Sequence, residues 1–328
     1  MNPLTERPSE SVSSLGETRL IAAIRRWLAD VSPPSPQGIG DDCAVLPPNR
    51  RQQLITTDPV IYGRHFDDAM PPRGVGAKLL KRNLSDLAAM GARPTAAVIS
   101  LALDPRVKTR WLEQFYRGLA ATARQFSVPI VGGDIAQSDG FLGAFLTLCG
   151  EAAAPRVVLR TGARAGDWIY VTGTLGGSLL GNHWRFLPRL AEGGWLARRG
   201  EVRAMMDLSD GLAKDLPALT PPGAEPAIDA NTVPVSAAAR TLARRTARTP
   251  LFHALCDGED YELVFAVASR ADRAAFERAW RRKFASTRLT CIGRFTVAGK
   301  KPATATNLAA YHGYEHLRSF RRPPETDG

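Results

Sequence analysis

The chain has 328 residues, 44% of them hydrophobic, which is enough for two cores and makes two domains the expectation. A formal net charge of +11 raises nucleic acid as a partner. Arginine greatly outnumbers lysine, however, and the basic residues are spread over several predicted helices with no aromatic-interleaved stripe, so they read as solvated surface and no nucleic-acid partner is expected. Cys43, Cys149, Cys256 and Cys291 lie far apart, without C-x-x-C, which indicates neither zinc nor a disulfide framework. Residues 1–14 are polar and lack an apolar signal core, and the strongest apolar run, 96–103, is too short to span a bilayer. A cytoplasmic protein with no membrane association is expected.

In chain order, residues 17–30 predict an amphipathic helix with Leu20, Ile21, Ile24, Trp27 and Leu28 on one side, ended by Pro33, Pro34 and Pro36. Gly38-Ile39-Gly40-Asp41-Asp42 then reads as a loop whose glycines free the backbone to meet phosphate. Residues 53–57 predict a strand ending at Asp58, and 60–66 a continuation carrying His65. A helix over 74–90, a strand over 95–103, a helix over 108–125 and strands over 128–131 and 141–149 follow. This alternation predicts a sheet covered by helices on one face.

The Ala-rich stretch 151–156 with Pro155 marks a domain boundary, giving residues 1–150 and 151–328 as the expected domains. The second half opens with a strand over 168–172 and a glycine-rich turn, Gly173-Thr174-Leu175-Gly176-Gly177, that lacks the Lys-Ser/Thr ending of a Walker A loop. A basic, helical-looking region over 184–203 leads to Asp207-Leu208-Ser209-Asp210, where Ser209 or Asp210 suits a helix N-cap. Cys256-Asp257-Gly258-Glu259-Asp260-Tyr261-Glu262 packs four acids ahead of a strand over 263–267. A helix over 271–283 and a strand over 290–295 close the chain.

The chemistry sits in recurring aspartates. Leu79, Leu80, Leu84, Leu87 and Met90 trace the core-facing side of a helix, and Asp86 stands at its edge, where a carboxylate needs a cation. A salt bridge to Lys81 or Arg82 is the simplest partner. The repetition argues for more: Asp41-Asp42, Asp58, Asp134, Asp207 and Asp210 fall at the ends of apolar runs, where strand ends converge. Several carboxylates in one pocket repel one another without a metal ion. Oxygen ligands without histidine or thiolate point to Mg²⁺ or Mn²⁺, and Mg²⁺ held by a few carboxylates most often serves phosphoryl transfer.

Six blocks, namely Gly38-Ile39-Gly40-Asp41-Asp42, Thr56-Thr57-Asp58 with Gly63-Arg64-His65-Phe66, Asn83-Leu84-Ser85-Asp86-Leu87-Ala88-Ala89-Met90-Gly91, Gly132-Gly133-Asp134, Asp207-Leu208-Ser209-Asp210-Gly211-Leu212 and Gly258-Glu259-Asp260-Tyr261-Glu262-Leu263, resemble in order the motifs of the thiamine-monophosphate kinase family. That family shares a superfamily with aminoimidazole ribonucleotide synthetase and selenophosphate synthetase. The resemblance implies an α/β (α+β) fold of two-domain PurM-like architecture: an N-terminal ATP/Mg-binding domain whose sheet pairs with that of a second subunit, and a C-terminal α+β domain completing the site. It implies ATP-dependent phosphorylation of thiamine monophosphate to thiamine diphosphate in a homodimer, with two or more Mg²⁺ ions. By matching position, Asp42, Thr56, Thr57, Asp58, Asp86, Asp134, Asp207 and Asp210 would hold metal. Gly133, Asp134, Arg160 and Ser209 would contact ATP, and His65, Glu259 and Tyr314 would face the thiamine phosphate. No general base is expected, because a phosphate monoester is largely ionised near neutral pH.

Three departures stand out. Ile135-Ala136-Gln137 replaces the family's usual Thr-Thr-Arg, Asp257 replaces a glycine before Gly258, and the segment near 181–183 is short. The alternatives are another ATP-dependent ligase or cyclase of the superfamily, and a non-catalytic basic regulator or nucleic-acid binder.

Overall fold

The computed structural model describes residues 1–35, 37–39 and 44–314. The N-terminal half runs α1 (Gly16–Leu28), β1 (Gln53–Ile61), α2 (Pro72–Ala89), β2 (Ala92–Leu103), α3 (Thr109–Phe126), β3 (Ile130–Gln137) and β4 (Leu142–Ala152). Its sheet has the order β1-β4-β2-β3, antiparallel except for the β2–β3 pair. Alternate residues face α2 and α3, so Val60, Ile99, Leu101, Leu146 and Leu148 join the core with Leu79, Leu80, Leu84, Phe115 and Leu119. Among the described residues no helix covers the other sheet face, as the alternation of elements predicts.

Two strands are longer than their sequence suggests. Asp58 and Pro59 lie inside β1, which runs unbroken because β1 is an edge strand and proline's missing N–H costs nothing on an edge. Asp134 lies inside β3, not at its end.

The C-terminal half runs β5 (Trp168–Thr172), α4 (Asn182–Arg185), α5 (Leu190–Ala197), β6 (Val202–Asp207), α6 (Leu212–Leu219), β7 (Ala224–Ile228), α7 (Ala237–Ala243), α8 (Pro250–Cys256), β8 (Leu263–Val267), α9 (Arg273–Lys283) and β9 (Leu289–Val297). Its antiparallel sheet has the order β6-β8-β5-β9-β7. The region over 184–203, expected to be helical, instead holds two short helices, a turn after Ala197 and the first residues of β6.

Helix α2 joins the halves and is buried on nearly every side. On α3 it is met through facing glycines: a Cβ on Gly76 would stand 2.0 Å from the Phe115 carbonyl oxygen, and one on Gly118 2.0 Å from that of Arg73. On α5, a Cβ on Gly193 would stand 2.0 Å from the Ala88 oxygen. Ala88 and Ala89 share a core with Leu196, Met205, Leu263 and Trp280 of the second half. The polar residues of α2, among them Lys78, Arg82, Ser85 and Asp86, are thereby presented between the two sheets.

Candidate active site

The cleft between the sheets, about 390 Å³ in volume, is lined by Asp58, His65, Asp86, Arg160, Asp207, Ser209, Asp210, Glu259 and Tyr314, all singled out from sequence. Asp58 arrives from β1: it shares the face of Leu54, Thr56 and Val60 that turns toward α2, where Arg82 Nη2 lies 3.3 Å from its Oδ1. Two residues earlier on the same face, the Thr56 hydroxyl donates to Asp86 Oδ2. Asp207 ends β6 and accepts from Ser85 Oγ at 2.7 Å, tying the second half to α2. Asp58, Asp86 and Asp207 are thus neighbours although they come from three elements.

Ser209 and Asp210 follow in a turn that α6 does not use as a cap; Gly211 holds the N-cap position. The buried Asp215 carboxylate accepts from both the Ser209 and Asp210 backbone N–H groups at 3.0 Å, leaving their side chains toward the cleft. Lys214 Nζ reaches Asp210 Oδ2 at 2.7 Å. Glu259 comes from the turn before β8, which lies along the same segment: Glu259 N–H donates to Ser209 O at 2.7 Å and Tyr261 N–H to Leu208 O at 2.8 Å. Holding this turn requires positive φ at Glu259 and Tyr261, both +51°, a conformation costly for residues with a Cβ and one that concentrates at functional sites. Tyr314 is brought in by its N–H bond to Asp210 O, past Gly313, where a Cβ would stand 2.3 Å from that oxygen.

Other expected residues lie elsewhere. Thr57 is on the opposite face of β1, beside Thr147 of β4. Gly133 and Asp134 are on β3, at the far edge of the sheet from β1, three strand spacings or about 14 Å away. In register across the sheet, Asp134 lines up with Ser100, Phe145 and Pro59, so its side chain stands on the face opposite Asp58. Gly133 and Asp134 border a separate groove of about 460 Å³ with Ile21, Ile24, Ile39, Tyr116 and Ile130. Asp42 lies outside the described residues.

Sequence reasoning gave no substrate role to Arg64, Arg82 or Tyr261. Arg64 and Arg82 line the cleft with Arg160. Tyr261 is buried, stacks on Phe186 at 4.1 Å and donates to Glu259 Oε1 at 3.2 Å. Asp257, which stands where the family usually has glycine, is engaged: Oδ1 meets His253 Nδ1 at 2.9 Å and Oδ2 accepts from Gly177 N–H at 2.8 Å, so it fastens α8 to the glycine-rich turn after β5.

Among the described residues six carboxylates line the cleft (Asp58, Asp86, Asp207, Asp210, Asp257 and Glu259) against three arginines, an arrangement that would repel a polyphosphate. Burial, with the charges of Asp207 and Asp58 added, holds the Asp86 carboxyl well above its ordinary range; burial and Asp58 do the same for Asp207. Such a cluster is satisfied by a hard cation. Among the described residues no three ligand side chains form a ready-made cage.

Residues 40–152 match the family described as AIR synthase related protein, N-terminal domain. The chain is 41% identical over 244 residues to the thiamine-monophosphate kinase of Rhodopirellula baltica, covering 70% of this chain and 76% of that protein. The crystal structure of thiamine-monophosphate kinase from Stenotrophomonas maltophilia is similar at 32% identity and a TM-score of 0.70, covering 87% of this chain and 95% of that one. AaThiL complexed with AMPPCP and TMP is similar at 29% identity and a TM-score of 0.69, covering 95% and 99%. With its two sheets, its shared cleft and these relatives, the chain belongs to the thiamine-monophosphate kinase family.

Proposed function

We propose that the chain transfers the γ-phosphoryl group of ATP directly to the phosphate of thiamine monophosphate, giving thiamine diphosphate. The observation that carries this reading is the meeting of Asp58, Asp86, Asp207 and Asp210, from both halves, in a cleft that also presents Arg64, Arg82 and Arg160. A relative of similar fold binds AMPPCP and TMP.

In this reading Asp58, Asp86, Asp207 and Asp210 hold Mg²⁺, with Thr56 orienting Asp86. Bound there, Mg²⁺ supplies charge neutralisation between two polyanions. Arg82 and Arg160 flank the phosphates, Ser209 bonds the nucleotide, and His65, Glu259 and Tyr314 face the acceptor. Ile61 N–H donates to His65 Nδ1 at 3.1 Å, which fixes that ring. The attacking oxygen is already ionised, so alignment and charge stabilisation carry the catalysis without a general base. We assign residues 1–150 to metal, nucleotide and dimer contacts and 151–328 to completion of the cleft.

We further propose a homodimer in which a second copy covers the helix-free face of the N-terminal sheet. That face exposes Ile55 (73%), Val98 (36%) and Phe145 (38%), more apolar surface than a solvated sheet keeps. Gly133 of the partner subunit would then contact ATP, and Asp134 of the partner subunit would add a metal ligand. The apolar groove beside them suits a nucleobase. A cytoplasmic location goes with the use of ATP, and no helix among the described residues is long and apolar enough to cross a membrane.

Incubation with ATP, MgCl₂ and thiamine monophosphate, read by chromatography, should yield thiamine diphosphate. The absence of product, or product formation indifferent to Asp210→Asn, would discard the reading.

A further inference from the structure

Lys78 is fully buried in the middle of α2, a position where a lone ammonium is expensive. It is satisfied completely. Nζ donates to Glu259 Oε2 at 3.0 Å and to the His65 carbonyl oxygen at 2.8 Å, and pairs with Glu259 Oε1 at 2.7 Å. These partners are the two cleft residues assigned to the acceptor side, His65 from the turn after β1, 13 residues from Lys78 in sequence, and Glu259 from the turn before β8, 181 residues away. Glu259, on a backbone at φ +51°, has its carboxylate held at the cleft wall by Lys78 together with the Tyr261 hydroxyl, 3.2 Å from Oε1.

We propose that Lys78 is a positioning residue for the acceptor: from beneath the cleft floor it holds the Glu259 carboxylate in place, and it fixes the His65 turn against it. Having no exposed surface, Lys78 cannot touch the acceptor itself, so its influence runs through Glu259 and His65. This inference rests on the acceptor role given above to those two residues. It predicts a selective defect, in acceptor affinity and not in nucleotide affinity, since the nucleotide-facing groups Ser209 and Arg160 have no bond to Lys78.

The test compares wild type, Lys78→Met, Glu259→Gln and the double variant in binding of thiamine monophosphate by calorimetry, and in the KM for each substrate. Lys78→Met should weaken thiamine monophosphate binding about tenfold or more while the KM for ATP changes less than about twofold. In the Glu259→Gln background the same substitution should add less than about twofold, because the charge it positions is gone. If Lys78→Met fails to fold, the double variant, which leaves no half-buried carboxylate without its cation, should recover the fold and bind the acceptor as Glu259→Gln does. Unaltered acceptor affinity in Lys78→Met, equal losses for both substrates, or a further tenfold loss in the Glu259→Gln background would each overturn the inference. A wild-type chain that binds no thiamine monophosphate removes the acceptor assignment as well, whereas wild-type binding with an unaffected Lys78→Met removes this inference alone.

Discussion

Asp86→Asn should stabilise the metal-free protein while disabling it. The Asp86 carboxyl is pushed up to about 7 by burial and by Asp207 and Asp58. That is roughly three units above its ordinary value, and at about 1.36 kcal/mol per unit the ionised carboxylate costs the metal-free fold at most about 4 kcal/mol. The sign follows from proton binding. A carboxyl whose folded pKa is raised binds more protons in the native state than in the unfolded state, so stability falls as pH rises from about 4 to about 7 and levels off above that. Asparagine carries no charge and can still accept from the Thr56 hydroxyl. In EDTA at pH 8, thermal unfolding of Asp86→Asn should therefore be several degrees higher than wild type, at about 2 °C per kcal/mol for a chain of this size. The gap should shrink toward pH 5, where the native carboxyl is protonated. Mg²⁺ should raise the wild-type melting temperature more than that of the variant, and turnover should drop about a hundredfold or more. A lower melting temperature for Asp86→Asn in EDTA, or a gap independent of pH, would refute the reasoning.

Asp257→Gly, which restores the residue expected at that position in the family, should lower the melting temperature by the equivalent of about 1–3 kcal/mol, since His253 and the Gly177 N–H lose their partner. Its KM for thiamine monophosphate should change less than about threefold; an unchanged melting temperature would show that the network is idle. Phe145→Asp, on the exposed sheet face, should halve the mass seen by sedimentation and abolish turnover, because Gly133 and Asp134 would no longer be supplied across the interface. A wild-type chain that sediments as a monomer, or a fully active monomeric variant, would contradict the dimer.

The elements legible in the sequence are those where pattern and environment agree. Trp168–Thr172 and Leu263–Val267 are apolar runs in the middle of a sheet, and α2 and α3 carry continuous apolar faces. Proline hid the rest. Pro59 splits the pattern of β1 and made Asp58 look like a strand end, and Pro226 obscures β7, yet both strands lie at sheet edges, where a missing donor is tolerated. The start of β6 is masked by the basic residues around it. The shared cleft was foreseeable from the repetition of aspartates, although Asp58 reaches it from mid-strand by facing α2. The separation of Asp134 was not, because it depends on strand order, and β3 falls at the opposite edge from β1. Lys78 carries no signal at all. On a helix otherwise read as having one apolar face it looks like a solvated cation, and only the packing of α2 between two sheets buries it.

The central claim is that the cleft aspartates hold a nucleotide through magnesium. Calorimetric titration of the wild-type protein with a non-hydrolysable ATP analogue, in MgCl₂ and then in EDTA, tests it most directly, with Asp207→Asn as the comparison. Binding in MgCl₂ should be saturable and weakened about a hundredfold or more by either EDTA or the substitution. Equal affinity in EDTA and in MgCl₂ would contradict it.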